Sequence, residues 1–214
     1  MKVAVIDYGV GNLGSVIRSL EELKATPILV DRASDMHSAD SFILPGVGNF
    51  ADCSKILKDN DWDKAILDEV KGAGKPILGI CLGMQLLASL GFEGSSDKNS
   101  EGSRGLDLIP GSVINLNKLG CNLSIPHVGW NEVEIKNISN GLFNDIPNAT
   151  DFYFVHSYVF IPDNSEHIIA TTDYGISVVA AVRDNHIWGT QFHPEKSSRA
   201  GFKLLYNFLN NPIC

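Results

Sequence analysis

The sequence predicts an α/β fold in which helices cover both faces of a doubly wound, mostly parallel sheet. In the first half of the chain, short apolar runs alternate with segments of helical periodicity, the order that is typical of βαβ units. The apolar runs are continuous, as expected for parallel strands that are buried on both faces. Turn signals at residues 173–175 and 184–185 indicate that antiparallel strands follow, so the sheet is expected to be mixed.

The elements of the first half follow from their local patterns. Apolar residues recur at helical spacing over residues 12–23 and again over 52–70, which predicts a helix and then a helical region that Gly72 and Gly74 close. Buried strands are predicted at residues 3–7, 28–30, 42–44 and 76–80.

The second half begins with a polar stretch rich in glycine and serine at residues 93–104, which predicts a surface loop. A final helix is predicted over residues 198–210. We found no internal repeat and no linker, so we expect one domain over residues 1–214. Short strand-like runs lie between the loop and the helix, around Val113, Val133, Phe154, Ile168, Val178 and Ile187.

Charge and composition argue against several classes of protein. A net charge of -8 and a pI near 5.1 are unfavourable for binding nucleic acid. No apolar run is long enough for a membrane span, and the start of the chain is typical of a core strand rather than a signal peptide. We therefore expect a cytoplasmic protein with no nucleic-acid partner and no membrane association.

The four cysteines show no regular spacing and no Cys-x-x-Cys pair, which argues against a disulfide framework and a zinc site. We expect no metal. A reducing environment would keep these thiols free. They are Cys53, Cys81, Cys121 and Cys214.

The most informative segment is an apolar run that ends in Gly-Ile-Cys-Leu-Gly at residues 79–83 and continues into helix formers. It predicts a buried strand that turns sharply into a helix with Cys81 at the corner. Small residues two positions either side allow the backbones to pass closely at such a turn. The start of a helix favours a thiolate, although by only about 1 kcal/mol, so a nucleophile here would need a basic partner.

A candidate for that partner lies near the end of the chain, where His193 and Glu195 flank Pro194. An imidazole can take the proton of a thiol, and a carboxylate on its other nitrogen fixes the tautomer and the orientation. The proline stiffens the loop between the two side chains. We therefore expect Cys81, His193 and Glu195 to form a catalytic triad.

Together these motifs resemble the class I (triad) glutamine amidotransferases, which hydrolyse glutamine and pass ammonia to a synthase. The similarity is strongest to the glutaminase subunits of imidazole glycerol phosphate synthases, and it extends from about residue 2 to residue 209. The additional segments that carry it are residues 7–12, 45–48, 126–131 and 153–158.

The resemblance implies a flavodoxin-like, three-layer fold and hydrolysis of L-glutamine without a cofactor. It also implies a heterodimer with a separate (β/α)8-barrel cyclase. That partner would use the ammonia to make imidazole glycerol phosphate and aminoimidazole carboxamide ribotide in histidine biosynthesis.

The resemblance also implies roles for other residues. Backbone N–H groups of Val47 and Leu82 would hold an oxyanion, which needs two such donors. Glutamine would be bound by Gly48, Gln85, Glu93, Ser157 and Tyr158. The partner face and the ammonia path would include Asn12, His127, Trp130, Asn131, Tyr153 and Lys196.

A rival hypothesis arises from Gly9, Gly11 and Gly14, which match the Gly-x-Gly-x-x-Gly fingerprint of dinucleotide-binding proteins, with Asp31 at a suitable distance. Against it, Asp7 would place a carboxylate beside the pyrophosphate. It also leaves Cys81 without a role.

Three further alternatives remain. The chain could be a paralogue that supplies ammonia for amidination of surface polysaccharides. It could be a binding subunit without activity, although all three triad positions are filled. It could also be a hydrolase of the related chaperone and peptidase group, whose members usually lack His-Pro-Glu in this form.

Overall fold

Five α-helices and thirteen β-strands are formed by residues 2–94, 101–136 and 141–210, the part of the chain that the computed structural model describes. The helices are α1 (Leu13–Glu22), α2 (Phe50–Asp59), α3 (Trp62–Leu67), α4 (Leu82–Leu86) and α5 (Ser198–Asn210). The strands are β1 (Lys2–Ile6), β2 (Thr26–Val30), β3 (Ser41–Gly46), β4 (Ile77–Cys81), β5 (Leu90–Gly91), β6 (Ser103–Arg104), β7 (Gly111–Asn115), β8 (His127–Ile135), β9 (Thr150–His156), β10 (Tyr158–Pro162), β11 (Ile168–Asp173), β12 (Ser177–Asp184) and β13 (Ile187–Thr190). Residues 95–100 of the predicted polar loop, and Cys214, lie outside the described residues.

The central sheet is mixed and has nine strands in the order β2-β1-β3-β4-β13-β12-β11-β8-β9. Strands β1 to β4 are parallel, as the alternation of elements predicts, and β13 joins β4 in parallel. The remaining neighbours, from β13 to β9, are antiparallel. The predicted α/β class with a mixed sheet is therefore confirmed.

Two apolar cores, one on each face of this sheet, give the fold its three layers. Along β1, Ala4 and Ile6 contribute to one core, whereas Val3 and Val5 contribute to the other. Buried residues of α2, α3 and α4 fill the first core, and those of α1 and α5 fill the second. Because successive side chains of a strand point to opposite faces, the continuous apolar runs supply both cores at once.

The fold differs from the sequence-based expectations in one strand, and it contains two features that they did not include. The β2 strand is an edge strand in which Leu29 is half exposed, so it is not buried on both faces. The helix after Cys81 ends at Leu86, and a short strand follows at Leu90–Gly91. A second sheet, β10-β7-β5-β6, was not foreseen. Strands β5 and β6 have two residues each and carry no readable periodicity, and the pairing of β7 with β10 joins segments that are distant in the chain.

The carboxyl ends of β3, β4 and β13 meet at one edge of the central sheet, because the three strands are parallel neighbours. Gly46 pairs with Cys81, and Thr190 pairs with Ile80. The segments that follow these residues therefore meet at that edge, although Gly46 and Thr190 are 144 positions apart in the chain. Within the described residues, no helix is both long and apolar enough to cross a bilayer.

Candidate active site

Cys81 occupies the corner between β4 and α4 in a strained backbone conformation. Its φ of 54° and ψ of -110° lie outside the regions that residues other than glycine normally adopt. The side chain is 7% exposed and faces a cavity. The predicted strand-to-helix corner is thus present.

The glycines on either side of Cys81 are required by close backbone contacts. A Cβ atom added to Gly83 would lie 1.8 Å from the carbonyl oxygen of Leu44, and one added to Gly79 would lie 2.6 Å from that of Gly83. Neither contact can be relieved by a side-chain rotamer, since both partners are backbone atoms. The spacing of the glycines therefore follows from the packing of α4 against β3 and β4.

His193 and Glu195 form a buried hydrogen-bonded pair beside this corner. The His193 Nδ1 and Glu195 Oε1 atoms are 2.7 Å apart, and the two side chains are 3% and 1% exposed. The loop is held in place because the backbone N–H of His193 donates to Tyr153 O at 2.9 Å, and Ser197 Oγ donates to His193 O at 2.6 Å. Glu195 thereby makes Nδ1 the protonated nitrogen, which leaves Nε2 to face the cavity.

The second ring nitrogen of His193 is buried and has no hydrogen-bond partner among the described residues. Burial lowers the pKa of His193, but the interactions with Cys81 and Glu195 outweigh this effect and raise the pKa to about 9. The doubly protonated, cationic ring of His193 is therefore favoured at neutral pH.

The cavity in front of Cys81 has a volume of about 180 Å³ and suits a ligand no larger than an amino acid. Nearly all the residues predicted for catalysis, the oxyanion and glutamine border it; Glu195 lies behind His193. The lining residues are Val47, Gly48, Cys81, Leu82, Gln85, Glu93, Val155, His156, Ser157, Tyr158 and His193.

The two predicted oxyanion donors differ in how they are held. Leu82 is the first residue of α4, where backbone N–H groups have no partner within the helix. Val47 lies in the turn after β3, and its carbonyl oxygen accepts a hydrogen bond from the Cys53 thiol at 3.6 Å. The carbonyl is thus anchored on the side of α2.

Two polar side chains of the cavity have defined partners. The Glu93 Oε2 atom accepts the backbone N–H of Phe50 at 3.0 Å, at the start of α2. Burial is the main cause that raises the pKa of Glu93, although this hydrogen bond opposes it. Gln85 donates from Nε2 to Tyr158 O at 2.9 Å and to Gln191 Oε1 at 3.0 Å, so only its Oε1 atom is left for a ligand.

The two polar–aromatic clusters predicted around Trp130 and Tyr153 form one surface, because β8 and β9 pair in register. Trp130 is 53% exposed and lies edge-on to Tyr153, and Lys196 lies above the Tyr153 ring. Val128 is also exposed on β8. We call Val128, Trp130, Tyr153 and Lys196 the β8–β9 face.

Beneath this face, His127 and His156 form a buried neutral pair with a separation of 3.0 Å between His127 Nδ1 and His156 Nε2. Burial lowers their pKa values to about 4 and about 3. The ring of His127 stacks between those of Phe154 and Tyr174. His127 therefore packs inside the protein, close to the predicted partner face but not on its surface.

The remaining predicted interface residues lie outside the cavity. Asn131 donates to Asp173 O at 2.8 Å, and Asn12 lies at the start of α1 without capping it through its side chain. Across the described ranges, no group of three His, Cys, Asp or Glu residues is arranged to hold a metal ion.

Sequence reasoning missed two groups that contact the Cys81 sulfur. The thiol donates to Val155 O at 3.7 Å, and Gln191 Nε2 donates to the sulfur at 3.8 Å. A backbone carbonyl leaves no sequence signal. Gln191 does leave one, because it is a polar residue at the end of an apolar strand, and it is fully buried.

Comparison with known proteins decides the family. The sequence matches the family model of the class-I glutamine amidotransferases over residues 4–211. It is 43% identical over 208 residues to the HisH 1 subunit of imidazole glycerol phosphate synthase from Campylobacter jejuni, which covers 97% of this chain and 98% of that protein. The chain belongs to the HisH family of class I glutamine amidotransferases.

Other relatives agree. This amidotransferase is 41% identical over 214 residues to the HisH subunit from Pelagibacter ubique, with 98% of the chain and 100% of the relative covered. Among solved structures, PurLQS from Thermotoga maritima superposes with a TM-score of 0.71 at 16% identity, over 98% of this chain and 97% of that one. That likeness shows the shared fold, and it confirms the expected flavodoxin-like, three-layer class.

A larger, open groove of about 840 Å³ lies where the rival hypothesis would place a dinucleotide, beside Gly9 and Asp31. Asp7, Asp61 and Asp68 also line it, and with Asp31 they outnumber the cations Arg32 and Lys64, so a pyrophosphate would meet a lining of net negative charge. The groove and the cavity in front of Cys81 share no lining residue. The geometry of this amidotransferase gives the dinucleotide hypothesis no support.

Proposed function

We propose that this amidotransferase hydrolyses L-glutamine to glutamate and ammonia with Cys81, His193 and Glu195 as its catalytic triad. The observation that carries the proposal is the small cavity in which Cys81 stands at a strained corner beside the buried His193–Glu195 pair. Membership of the HisH family supports the same reaction.

The first half of the reaction forms a thioester. His193 takes the proton of Cys81, and the sulfur attacks the side-chain amide carbon of glutamine. The protonated His193 then gives its proton to the departing nitrogen, which leaves as ammonia. The raised pKa of His193 favours the proton on the ring before this step, and Glu195 stabilises the imidazolium.

The backbone N–H groups of Val47 and Leu82 would stabilise the oxyanion of each tetrahedral intermediate. Donors that are fixed before the reaction need no reorganisation when charge develops, and each typically contributes about 10²–10³ in rate. In the second half, the now neutral His193 takes a proton from water, and the resulting nucleophile cleaves the thioester to give glutamate and free Cys81.

Glutamine binding is assigned to the polar groups of the cavity. The Glu93 carboxylate would pair with the α-ammonium group of glutamine, and the free Oε1 atom of Gln85 would accept a hydrogen bond from it. Backbone groups of Gly48, Ser157 and Tyr158 would hold the rest of the substrate. All five residues line the same cavity, which supports these roles.

Ammonia produced in this cavity must reach a second enzyme, because ammonium is costly to pass through an apolar path and is no nucleophile. We propose that the β8–β9 face docks a (β/α)8-barrel cyclase in a cytoplasmic heterodimer for histidine biosynthesis. Asn131 and Asn12 would border the same interface, and His127 would lie beneath it. Exposed apolar and aromatic side chains support docking there, since such a patch is typical of interfaces.

Glutamine hydrolysis by the purified chain, with and without a candidate cyclase, tests the proposal. We expect weak release of glutamate that rises when the cyclase is added, and none above background with Cys81→Ala in the same complex. Glutamate release that persists in the complex containing Cys81→Ala would contradict the proposed nucleophile. If glutamate release rises instead with a sugar-amidating partner, the polysaccharide paralogue is favoured.

A further inference from the structure

Two buried glutamine amides are hydrogen-bonded to each other, and one of them, that of Gln191, contacts the Cys81 sulfur. Gln191 follows β13 and is fully buried, and Gln85 in α4 is 3% exposed. The Gln85 Nε2 atom donates to Gln191 Oε1 at 3.0 Å. Two amides buried at a reacting sulfur require an explanation, since each is costly to bury unless all its groups are paired.

The orientation of both amides is determined by a backbone carbonyl. Tyr158 O can only accept hydrogen bonds, so the atom of Gln85 that lies 2.9 Å from it must be the NH₂ nitrogen. A second donor, His156 Nδ1, meets the same oxygen at 2.9 Å. Rotation of the Gln85 amide by 180° would place two oxygens in contact, and this arrangement is therefore excluded.

The same argument extends to Gln191. Because the second N–H of Gln85 points at Gln191, the atom that receives it must be the oxygen of that amide. Its nitrogen then faces Cys81, with 3.8 Å between Nε2 and Sγ. The donor at the sulfur is thus fixed by a chain of bonds that begins at Tyr158 O.

An N–H group aimed at sulfur distinguishes the two charge states of the cysteine. The thiol has its own hydrogen-bond acceptor in Val155 O, at 3.7 Å. Once the proton has moved to His193, that bond is lost, and the N–H of Gln191 becomes a charge-assisted hydrogen bond.

We propose that Gln191 stabilises the Cys81 thiolate by donating its side-chain N–H to the sulfur, and that Gln85 acts as a positioning residue that holds Gln191 in the donating orientation. The inference rests on the proposed glutaminase function and adds to it a donor outside the triad and the oxyanion hole. It also gives Gln85 a second role besides contact with glutamine.

The pH dependence of Cys81 alkylation by iodoacetamide tests this inference without glutamine or partner. Gln191→Met keeps the length of the side chain and removes the donor. We expect the pH midpoint of alkylation to move up by about one unit, which slows alkylation at lower pH about tenfold. Gln191→Glu, which replaces the amide NH₂ with a carboxylate oxygen, should move the midpoint further.

Two further variants separate this effect from loss of stability. Asn207→Leu removes another buried amide, which donates to Leu142 O and Asn144 O in a separate region of the fold. It should lower the urea midpoint of unfolding and leave the alkylation midpoint unchanged. Gln85→Met should raise the alkylation midpoint by less than Gln191→Met. Mass spectrometry assigns the modified cysteine, with Cys81→Ala as the blank.

The outcomes are distinct. Folded Gln191→Met with an unchanged alkylation midpoint overturns the inference. If Gln191→Met does not fold, Gln85→Met takes its place, and an unchanged alkylation midpoint in folded Gln85→Met overturns the inference. If the wild-type chain hydrolyses no glutamine in the presence of its cyclase, the proposed function is overturned instead. This result does not depend on the alkylation midpoints.

Discussion

At the scale of single residues, the proposed mechanism depends on transfer of a proton from Cys81 to His193. The triad could be predicted because each member occurs in a local pattern: a cysteine between two spaced glycines, and a histidine and a glutamate that flank a proline. The role proposed for Gln191 could not be predicted in this way. The orientation of its amide depends on Gln85, which is 106 positions away in the chain.

The raised pKa of His193 gives a prediction at this scale. Cys81→Ala removes one of the two groups that raise it, while burial continues to lower it. We therefore expect the pKa of His193, measured by NMR of the ring protons, to fall from about 9. Cys121→Ala is the matched control, since Cys121 is also a buried free cysteine that donates to a carbonyl, that of Tyr174.

The sign of the accompanying change in stability follows from linkage. A histidine whose pKa is raised on folding stabilises the native state fully below its ordinary value near 6.5, and this contribution is lost as pH rises through about 9. The free energy of unfolding should fall over this range in the wild type and less in Cys81→Ala. An equal fall in both proteins would contradict the interaction between Cys81 and His193 that raises the pKa of His193.

At the scale of elements, the site depends on how closely α4 packs against β3 and β4. The sequence predicted this corner, because Gly79 and Gly83 are separated from Cys81 by one residue each. It did not predict that α4 ends at Leu86 or that β5 follows. The limits of α4 depend on packing with the second sheet, whose strands are formed by segments distant in the chain.

Alanine substitutions at two helical glycines, Gly83 and Gly14, should have opposite effects on stability. Gly83→Ala would place a Cβ atom against the Leu44 carbonyl, whereas at Gly14 in α1 nothing lies within 4 Å of the added atom. We expect Gly83→Ala to destabilise the protein by about 3 kcal/mol. Gly14→Ala should stabilise it by about 0.5–1 kcal/mol, through the better helix propensity of alanine. Urea unfolding measures both, and equal effects would contradict the packing argument.

At the scale of the whole molecule, parallel pairing brings the carboxyl ends of β3, β4 and β13 to one edge. The antiparallel extension places the β8–β9 face beside the same site, since Tyr153 O accepts the backbone N–H of His193. The alternating pattern predicted the parallel half. The position of β13 beside β4 could not be predicted, because about half of the chain lies between the two strands.

The proposed docking of the cyclase at the β8–β9 face gives a prediction for the assembly. Trp130→Ala should raise the Kd for the cyclase about thirtyfold, as expected for an aromatic residue at the centre of an interface, with little change in stability. Tyr206→Ala is the matched control, because Tyr206 is a similarly exposed aromatic on α5 with Lys203 near its ring. Isothermal titration should show no effect of Tyr206→Ala; equal weakening by both variants would contradict the assignment of the face.

The central claim is that Cys81 forms a covalent bond with its substrate, and trapping of that intermediate tests it most directly. The complex with the cyclase would be mixed with glutamine, quenched in acid during turnover and digested for mass spectrometry. We predict a γ-glutamyl thioester on the peptide that contains Cys81, and none in Cys81→Ser under the same quench. Ammonia release without any adduct on Cys81, or with an adduct on another residue, would contradict the account.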